Sequence, residues 1–442
     1  MTQVFAVKGW CPGALRPMES GDGLIVRVRP RCGAITLNDF KGLADIASLF
    51  GNGEIDLTRR ANLQLRGLNE DGLPSVHQRL DDLRLLDETP EAEAVRNVVV
   101  APMAGLDKSW PVDGRSVAGQ LEDRLRQDER LWCLPGKFGF AIDDGSAVGL
   151  DDYGTDIVLK AHVEPDRKSG AAGDDGAVVW SVIAGGAHVA TVSADDVVDA
   201  AVVLATAFAE IAVPLGLRRF KNAVGNHEIM SAIERKLEAS SYRDPQAAAL
   251  AVNAGWAGRS QTDWRDLAQW IALPFGRINA QQVHQLCAGL EAIDVSEVRL
   301  SPWRALYVPV AGEGRSVDEI KAVGVDAGLI TDPDDPLLRV SACTGAPGCP
   351  QAFIKTRELA RRLASAQADH CRSFSIHVSG CAKSCASSKS ADLSVVGCAD
   401  GYGIGFGLTA ADPVGHMVET EADVEAVLDE LAAKSELEEL RA

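Results

Sequence analysis

The chain matches itself. Shifted by 243 residues, Gly33 falls on Gly276, Ile35 on Ile278, and Ile55, Leu57 and Leu63 on Val298, Leu300 and Leu306. Arg96 falls on Arg339 and Gly105 on Gly348, with no gap over the span. A repeat this long means one architecture built twice. The halves run roughly 1–240 and 241–442, and each must supply the same set of elements.

Each half opens on a strand–helix–strand pattern. Leu24–Arg29 alternates apolar and polar residues, as a half-buried strand does. Thr36 with Asp39 forms a loose capping box, Leu43, Ile46 and Leu49 make an apolar stripe, and Gly51 and Gly53 end the helix. Glu54–Leu57 and Asn62–Leu65 read as strands, and Leu73, Val76, Leu80 and Leu83 as one face of a second helix. Such a unit is ferredoxin-like. The remainder of each half is mixed, with strands expected over Arg96–Ala101 and Phe138–Ile142 and helices over Asp113–Arg130 and Gln351–Ser365. Lys168–Gly176 reads as a surface turn, and the acidic Glu419–Leu440 as an exposed amphipathic helix. The fold class is α+β and pseudo-duplicated. Ferredoxin-like half-domains are expected at 1–90 and 241–330, and mixed α/β domains at 91–240 and 331–442.

A formal net charge of −19 argues against general nucleic-acid binding, so an anionic ligand needs a local basic pocket. The most apolar stretch, Ala200–Leu217, is broken by Glu210 and Pro214, so no membrane span is expected. The N-terminus lacks the apolar core of a signal peptide, and a cytoplasmic protein is expected.

Ten cysteines in a chain this long are no disulfide framework. Four of them pair as Cys343-x5-Cys349 and Cys381-x3-Cys385, among Gly345, Gly348 and Gly380. Four close thiolates are the ligand set of a [4Fe–4S] cluster. Cys349 is expected to precede a helix N-terminus, whose partial positive charge favours thiolate, and Cys381 and Cys385 to face one way on a helical turn. The spacing is unlike the C-x2-C pairs of zinc ribbons. A zinc site, or four unrelated buried cysteines, are the alternatives that spacing leaves open. Cys11, Cys32, Cys133, Cys287, Cys371 and Cys398 show no ligand spacing and read as buried small hydrophobes.

The two cysteine pairs, with Asp392-Leu393 seven residues beyond Cys385, resemble the sirohaem-dependent nitrite and sulfite reductase family. That family is pseudo-duplicated, with ferredoxin-like halves and cluster-bearing α/β domains, which fits the repeat. Thr58–Gln64 is similar to the family's Thr-Arg-Gln-Asn-x-Gln stretch and places Arg60 against tetrapyrrole carboxylates or substrate. Val95–Val98 resembles its Arg-Asn segment and gives Arg96, and Leu134–Phe138 resembles Leu-Pro-Arg-Lys-Phe and gives Lys137. Arg27, Arg29, Arg31 and Arg66 are weaker additions. Guanidinium forks and an ammonium suit a tetrapyrrole with eight carboxylates.

Two departures stand out. The family's Arg-Lys-Phe-Lys is here Gly136-Lys137-Phe138-Gly139, and Ser394 stands where the reductases prefer Gly, Ala or Thr. The binding face is retained while the anion-reducing face is weakened. Lys8–Met18, Gly23–Pro30 and His377–Lys383 look like a corrin-pathway branch of the family. That resemblance implies a monooxygenase that takes a tetrapyrrole, precorrin-3A, as substrate with O2, hydroxylates a meso carbon and closes a lactone. It also implies a mononuclear non-haem iron beside the [4Fe–4S] cluster. His377, four residues before Cys381, is the first candidate for that iron and His227 the second. No nicotinamide site is legible, and Gly401–Gly407 reads as a tight loop, so electrons are expected from NADH through a reductase partner. The competing readings are a reductase with sirohaem as cofactor, and a non-catalytic cluster protein.

Overall fold

The computed structural model describes residues 11–151, 153–163, 178–240, 259–310, 316–368 and 374–439. Lys8–Trp10, the Lys168–Gly176 turn and Cys371 lie outside them.

The first ferredoxin-like unit contains β1 (Met18–Ser20), β2 (Gly23–Val28), β3 (Ala34–Thr36), α1 (Leu37–Phe50), β4 (Glu54–Leu57), β5 (Leu63–Leu68) and α2 (Leu73–Asp82). Thr36 caps α1 by accepting the Asp39 amide at 3.1 Å. Leu43 and Ile46 are buried on that helix as expected, but Leu49 is 63% exposed, so the stripe turns toward Ala44 and Ala47 instead.

The first α/β domain follows, with α3 (Pro90–Val95), β6 (Val98–Val100), α4 (Gly114–Gln127), β7 (Phe140–Asp143), β8 (Ile157–Val163), β9 (Val178–Ala184), β10 (Ala187–Ser193), α5 (Val197–Ile211), α6 (Phe220–Val224) and α7 (His227–Ala239). β6, β7 and β8 are parallel, and β9 and β10 return antiparallel. The apolar α5 is buried against this sheet, with Phe208 stacked on Phe220 at 5.0 Å. Among the described residues, no helix is long and apolar enough to cross a membrane.

The second ferredoxin-like unit holds β11 (Ala268–Ala272), β12 (Arg277–Asn279), α8 (Ala280–Ala292), β13 (Glu297–Leu300), β14 (Ala305–Pro309) and α9 (Val317–Asp326). The last domain has β15 (Val340–Ala342), α10 (Thr356–Gln367), β16 (Ile376–Ser379), β17 (Ala391–Cys398), β18 (Gly401–Leu408), β19 (His416–Val418) and α11 (Glu421–Glu439). β15, β16 and β17 are parallel, and β18 and β19 antiparallel, which repeats the first α/β topology.

Three sequence expectations are corrected here. Gly401–Gly407 is not a loop but most of β18. The helix expected from Gln351 starts at Thr356. The C-terminal helix is not simply exposed, since Val424, Leu428 and Ala432 bury a stripe in the domain core.

The repeat is confirmed in backbone detail. Cys32 and Phe275 both adopt left-handed backbone (φ 52° and 56°), as do Gly33 and Gly276 (65° and 74°) and Ala61 and Arg304 (52° and 62°). Non-glycine residues adopt such angles only where the surroundings impose them, so the two matched non-glycine pairs are not chance.

The two units also exchange strands. β12 joins the first sheet, pairing Ile278 with Ile55, and β3 joins the second, pairing Ile35 with Val298. The two pairings are the same pairing related by the repeat. One core, including Leu43, Ile46, Val283 and Leu286, spans both units. The half-domains expected at 1–90 and 241–330 are therefore segments of one body, because neither closes its sheet alone.

Candidate active site

Val26, Val28, Ile55, Leu57, Leu63, Leu65 and Ile278 turn one face of the first sheet into the core. Strand alternation then forces the intervening residues onto the other face. The register sets Arg27 beside Gln64, Gln64 beside Asp56, and Asp56 beside Arg277, a polar row across four strands. Arg27 donates to Gln64 Oε1 at 2.7 Å and Arg277 grips Asp56 at 2.6 and 2.8 Å. Burial opposes the charge of Asp56, yet Arg277, Arg357 and Arg66 hold its carboxyl below the usual range. Arg357 keeps two buried donors, Nε and Nη1, without a partner, and burial lowers its pKa to about 10.

The structure divides the sequence-expected basic residues into two sets. Arg60 lies in a tight turn after β4, where Thr58 Oγ1 accepts the Arg60 and Asn62 amides. Its guanidinium donates to the carbonyls of Gly136 and Lys137 at 3.4 and 2.8 Å, which brings Arg60 and the exposed Lys137 together. Neither is paired with a carboxylate among the described residues. Arg96 is different. It is buried, donates to Asp87 at 3.1 and 2.7 Å and to the Arg29 carbonyl at 2.9 Å. Its donors are committed, and the expectation that it reaches a ligand is corrected: it holds the fold beneath the site. Arg29 on Glu93 and Arg66 on Asp22 are likewise paired, and Arg31 reaches Glu122 and Asp123. Sequence reasoning missed Arg304, whose only signal was its register with Ala61. It donates to the Ala386 carbonyl at 3.1 Å and so stands beside the second cysteine pair.

Cys343 follows β15, Cys349 lies in a turn, and Cys381 and Cys385 follow β16. Phe353 donates to the Gly380 carbonyl at 2.9 Å, and the Gly380 amide donates to Cys343 Sγ at 3.2 Å, so the two loops are stitched together. Burial first, and then the charges of the other cysteines, push the Cys381 and Cys385 thiols up. The four sulfurs thus share one locality. Among the described residues no three His, Cys, Asp or Glu groups approach closely enough for a single metal ion. A cubane spreads its four thiolates around it and does not ask them to converge on one ion.

Close backbone approach is built in. A Cβ on Gly380 would lie 2.6 Å from Ala352 Cβ, and one on Gly397 2.7 Å from the Gly380 carbonyl oxygen. The residues present fit a [4Fe–4S] cluster held by Cys343, Cys349, Cys381 and Cys385.

The local reasons for that fit differ from expectation. Thr356, at the start of α10, donates to the Cys343 carbonyl at 2.7 Å, so the helix N-terminus meets Cys343 and not Cys349. Cys381 and Cys385 are joined by a turn with Ser384 in left-handed backbone (φ 53°), not by a helical turn. Of the other described cysteines only Cys287 is buried, and Cys133 is exposed.

His377 sits on β16 between Ser341 and Ser394, 1% exposed, with neither ring nitrogen partnered. Burial, helped by Arg304, pushes its pKa down to about 4, so the ring is a neutral donor–acceptor near pH 7. Among the described residues no group of three His, Cys, Asp or Glu side chains forms around it, so they do not fit the two-His-one-carboxylate iron expected there. His227 is exposed at the start of α7, next to Ser231.

Residues 16–83 match the family described as the nitrite/sulfite reductase ferredoxin-like half domain. The chain is 30% identical over 404 residues to a precorrin-3B synthase from Sinorhizobium sp, covering 90% of this chain and 82% of that one. It is 26% identical over 415 residues to a ferredoxin–nitrite reductase from Synechococcus elongatus, covering 86% and 77%. The fold is that of the Mycobacterium tuberculosis NirA protein, with a TM-score of 0.65 and 17% identity over 92% of this chain and 79% of that structure. The chain belongs to the nitrite/sulfite reductase family of oxidoreductases, in the company of precorrin-3B synthase.

Proposed function

We propose that this oxidoreductase is a precorrin-3B synthase: it takes precorrin-3A as substrate, hydroxylates a meso carbon with O2 and forms a lactone, ahead of ring contraction. One atom of O2 enters the product and the other leaves as water, so two electrons are needed. An electron-donating reductase, fed by NADH, would supply them. The observation that carries the reading is the pairing of uncommitted cations with a cysteine cradle. Among the described residues the Arg60 guanidinium is bonded only to carbonyls, and Arg304 binds the carbonyl of Ala386, beside Cys385. Such cations meet the carboxylates of an anionic tetrapyrrole in an otherwise acidic protein.

The chain's own part is binding and orientation. Arg60 and Lys137 fix carboxylates at one edge, and Arg304 at the other. His377, buried and neutral, keeps one N–H and one lone pair without a partner among the described residues. The cluster, when held by the four cysteines, would accept and pass on single electrons. Gly139, where the reductases carry a lysine, supports a tetrapyrrole substrate over a reductase that reduces a small anion.

The test is anaerobic purification, an optical spectrum, and turnover of precorrin-3A under isotopically labelled O2. Label in the product, with a broad cluster absorbance and no sharp sirohaem bands, supports the reading. Sirohaem bands with sulfite or nitrite reduction would replace it with the reductase alternative.

A further inference from the structure

Behind Arg60 lies a cavity of about 80 Å³, bounded by Arg60, Asn97, Gly139, Tyr153, Thr155 and Arg219. It continues past Tyr153, Thr155 and Arg219 into a cleft of about 480 Å³. Arg219, Tyr153 and Thr155 have no part in the contacts proposed for Arg60 so far.

Among the described residues its walls carry one surplus positive charge. Asp156 is 1% exposed and accepts the Gly139 and Phe220 amides at 3.1 and 2.7 Å. Thus fixed, it holds Arg219 by Nε alone, with both carboxylate oxygens at 3.0 Å. The Nη groups of Arg219 make no hydrogen bond among the described residues. Arg60 adds a second guanidinium that, among the described residues, meets only carbonyl oxygens. Two guanidiniums against one carboxylate leave room for one more anion.

The neutral groups agree. Asn97 is 5% exposed, and its Nδ2 donates to the Ala94 and Phe138 carbonyls at 2.8 and 3.1 Å. That leaves Oδ1 buried without a partner. A buried unpaired acceptor is costly, so a donor belongs there, and a water riding on a bound anion supplies one. Glycine at position 139 keeps the space open, because a Cβ there would lie 2.8 Å from Thr155 Oγ1.

We propose that this cavity is a carboxylate subsite, which takes one acetate- or propionate-sized arm of the tetrapyrrole between Arg60 and Arg219, with the Tyr153 hydroxyl as a further donor. The assignment rests on the tetrapyrrole reading above and deepens it. At about 80 Å³ the cavity is too small for a pyrrole ring to follow the arm. The wider cleft beyond it carries Lys160 and Lys221 as well as Asp143 and Asp151, so only the inner end is selectively cationic.

The probe is uroporphyrin III, a stable tetrapyrrole bearing eight carboxylates, titrated by fluorescence into the anaerobically purified, cluster-loaded protein. Arg219→Gln should weaken binding by about tenfold, the value of one charge-assisted contact. Tyr153→Phe, which removes only a hydroxyl, should weaken it by about threefold and decides the matter if Arg219→Gln does not fold. Wild-type affinity in both variants, with melting unchanged, overturns the subsite while leaving the tetrapyrrole reading intact. No porphyrin binding by the wild type overturns both. A free oxyanion shares this chemistry, so sulfite is titrated alone. Arg219-dependent sulfite binding beside Arg219-independent porphyrin binding overturns the carboxylate-arm assignment.

Discussion

Arg277 and Asp56 come from opposite halves of the repeat and meet across the exchanged strand pair, with two N–H···O bonds of 2.6 and 2.8 Å. Arg357, from the last domain, reaches the same carboxylate at 3.4 Å. One buried carboxylate thus ties three segments of the chain together. Asp56→Asn removes the counter-charge of Arg277, Arg357 and Arg66 and should cost about 3–5 kcal/mol. Urea unfolding measures it, and a loss below about 1 kcal/mol would show that these guanidiniums are well solvated.

Arg96 is assigned to the fold and not to the ligand. Arg96→Ala strands Asp87 and part of Glu122 in the interior and should destabilise by about 3 kcal/mol. Tetrapyrrole affinity of the folded fraction should stay near wild type. A large loss of affinity with unchanged stability would return Arg96 to the binding site.

Arg60 carries the opposite expectation. Its carbonyl partners are exchangeable for water, so Arg60→Ala should leave the melting temperature within a few degrees. Porphyrin binding should weaken by about 1.5–3 kcal/mol, the range for a hydrogen bond to a charged group. Titration of the wild type and the variant side by side checks both.

The cysteine assignment is open to direct measurement. Cys385→Ala leaves three thiolates, and most cluster iron and sulfide should be lost on anaerobic purification. Full retention of cluster iron would remove Cys385 from the ligand set. Gly380→Ala should lower cluster occupancy with all four thiols present, because its Cβ would press on Ala352.

His377 gives the protein a pH signature. Its pKa is about 4 when folded and near 6.5 when unfolded, so below pH 6.5 the unfolded chain takes up a proton that the native state refuses. This contribution is whole above about pH 6.5 and is lost as pH falls toward 4. His377→Asn should flatten that part of the stability–pH curve. Denaturation at several pH values compares the slopes, and identical slopes would show that the ring is paired in solution.

Much of the fold was legible in the chain itself. The 243-residue register anticipated the paired units, since the same turns recur at Gly33 and Gly276 and the same strand pairing at Ile55 and Val298. Local chemistry was enough for the Thr36 cap, the Glu54–Leu57 strand and the four clustered cysteines, because each depends on near neighbours. Partner choice was not legible. Arg60 and Arg96 look alike in sequence, yet one faces carbonyls and the other is consumed by Asp87, a residue nine positions away brought back by α3. The exchange of β3 and β12 was equally hidden, because the pairing energy of a strand does not depend on which half of the chain delivers it. The sequence by itself determined that the chain is built twice and that four thiols gather near its end. Only the tertiary structure decided which cations remain free to meet a ligand, because freedom from a carboxylate is a property of the packed neighbours and not of the residue.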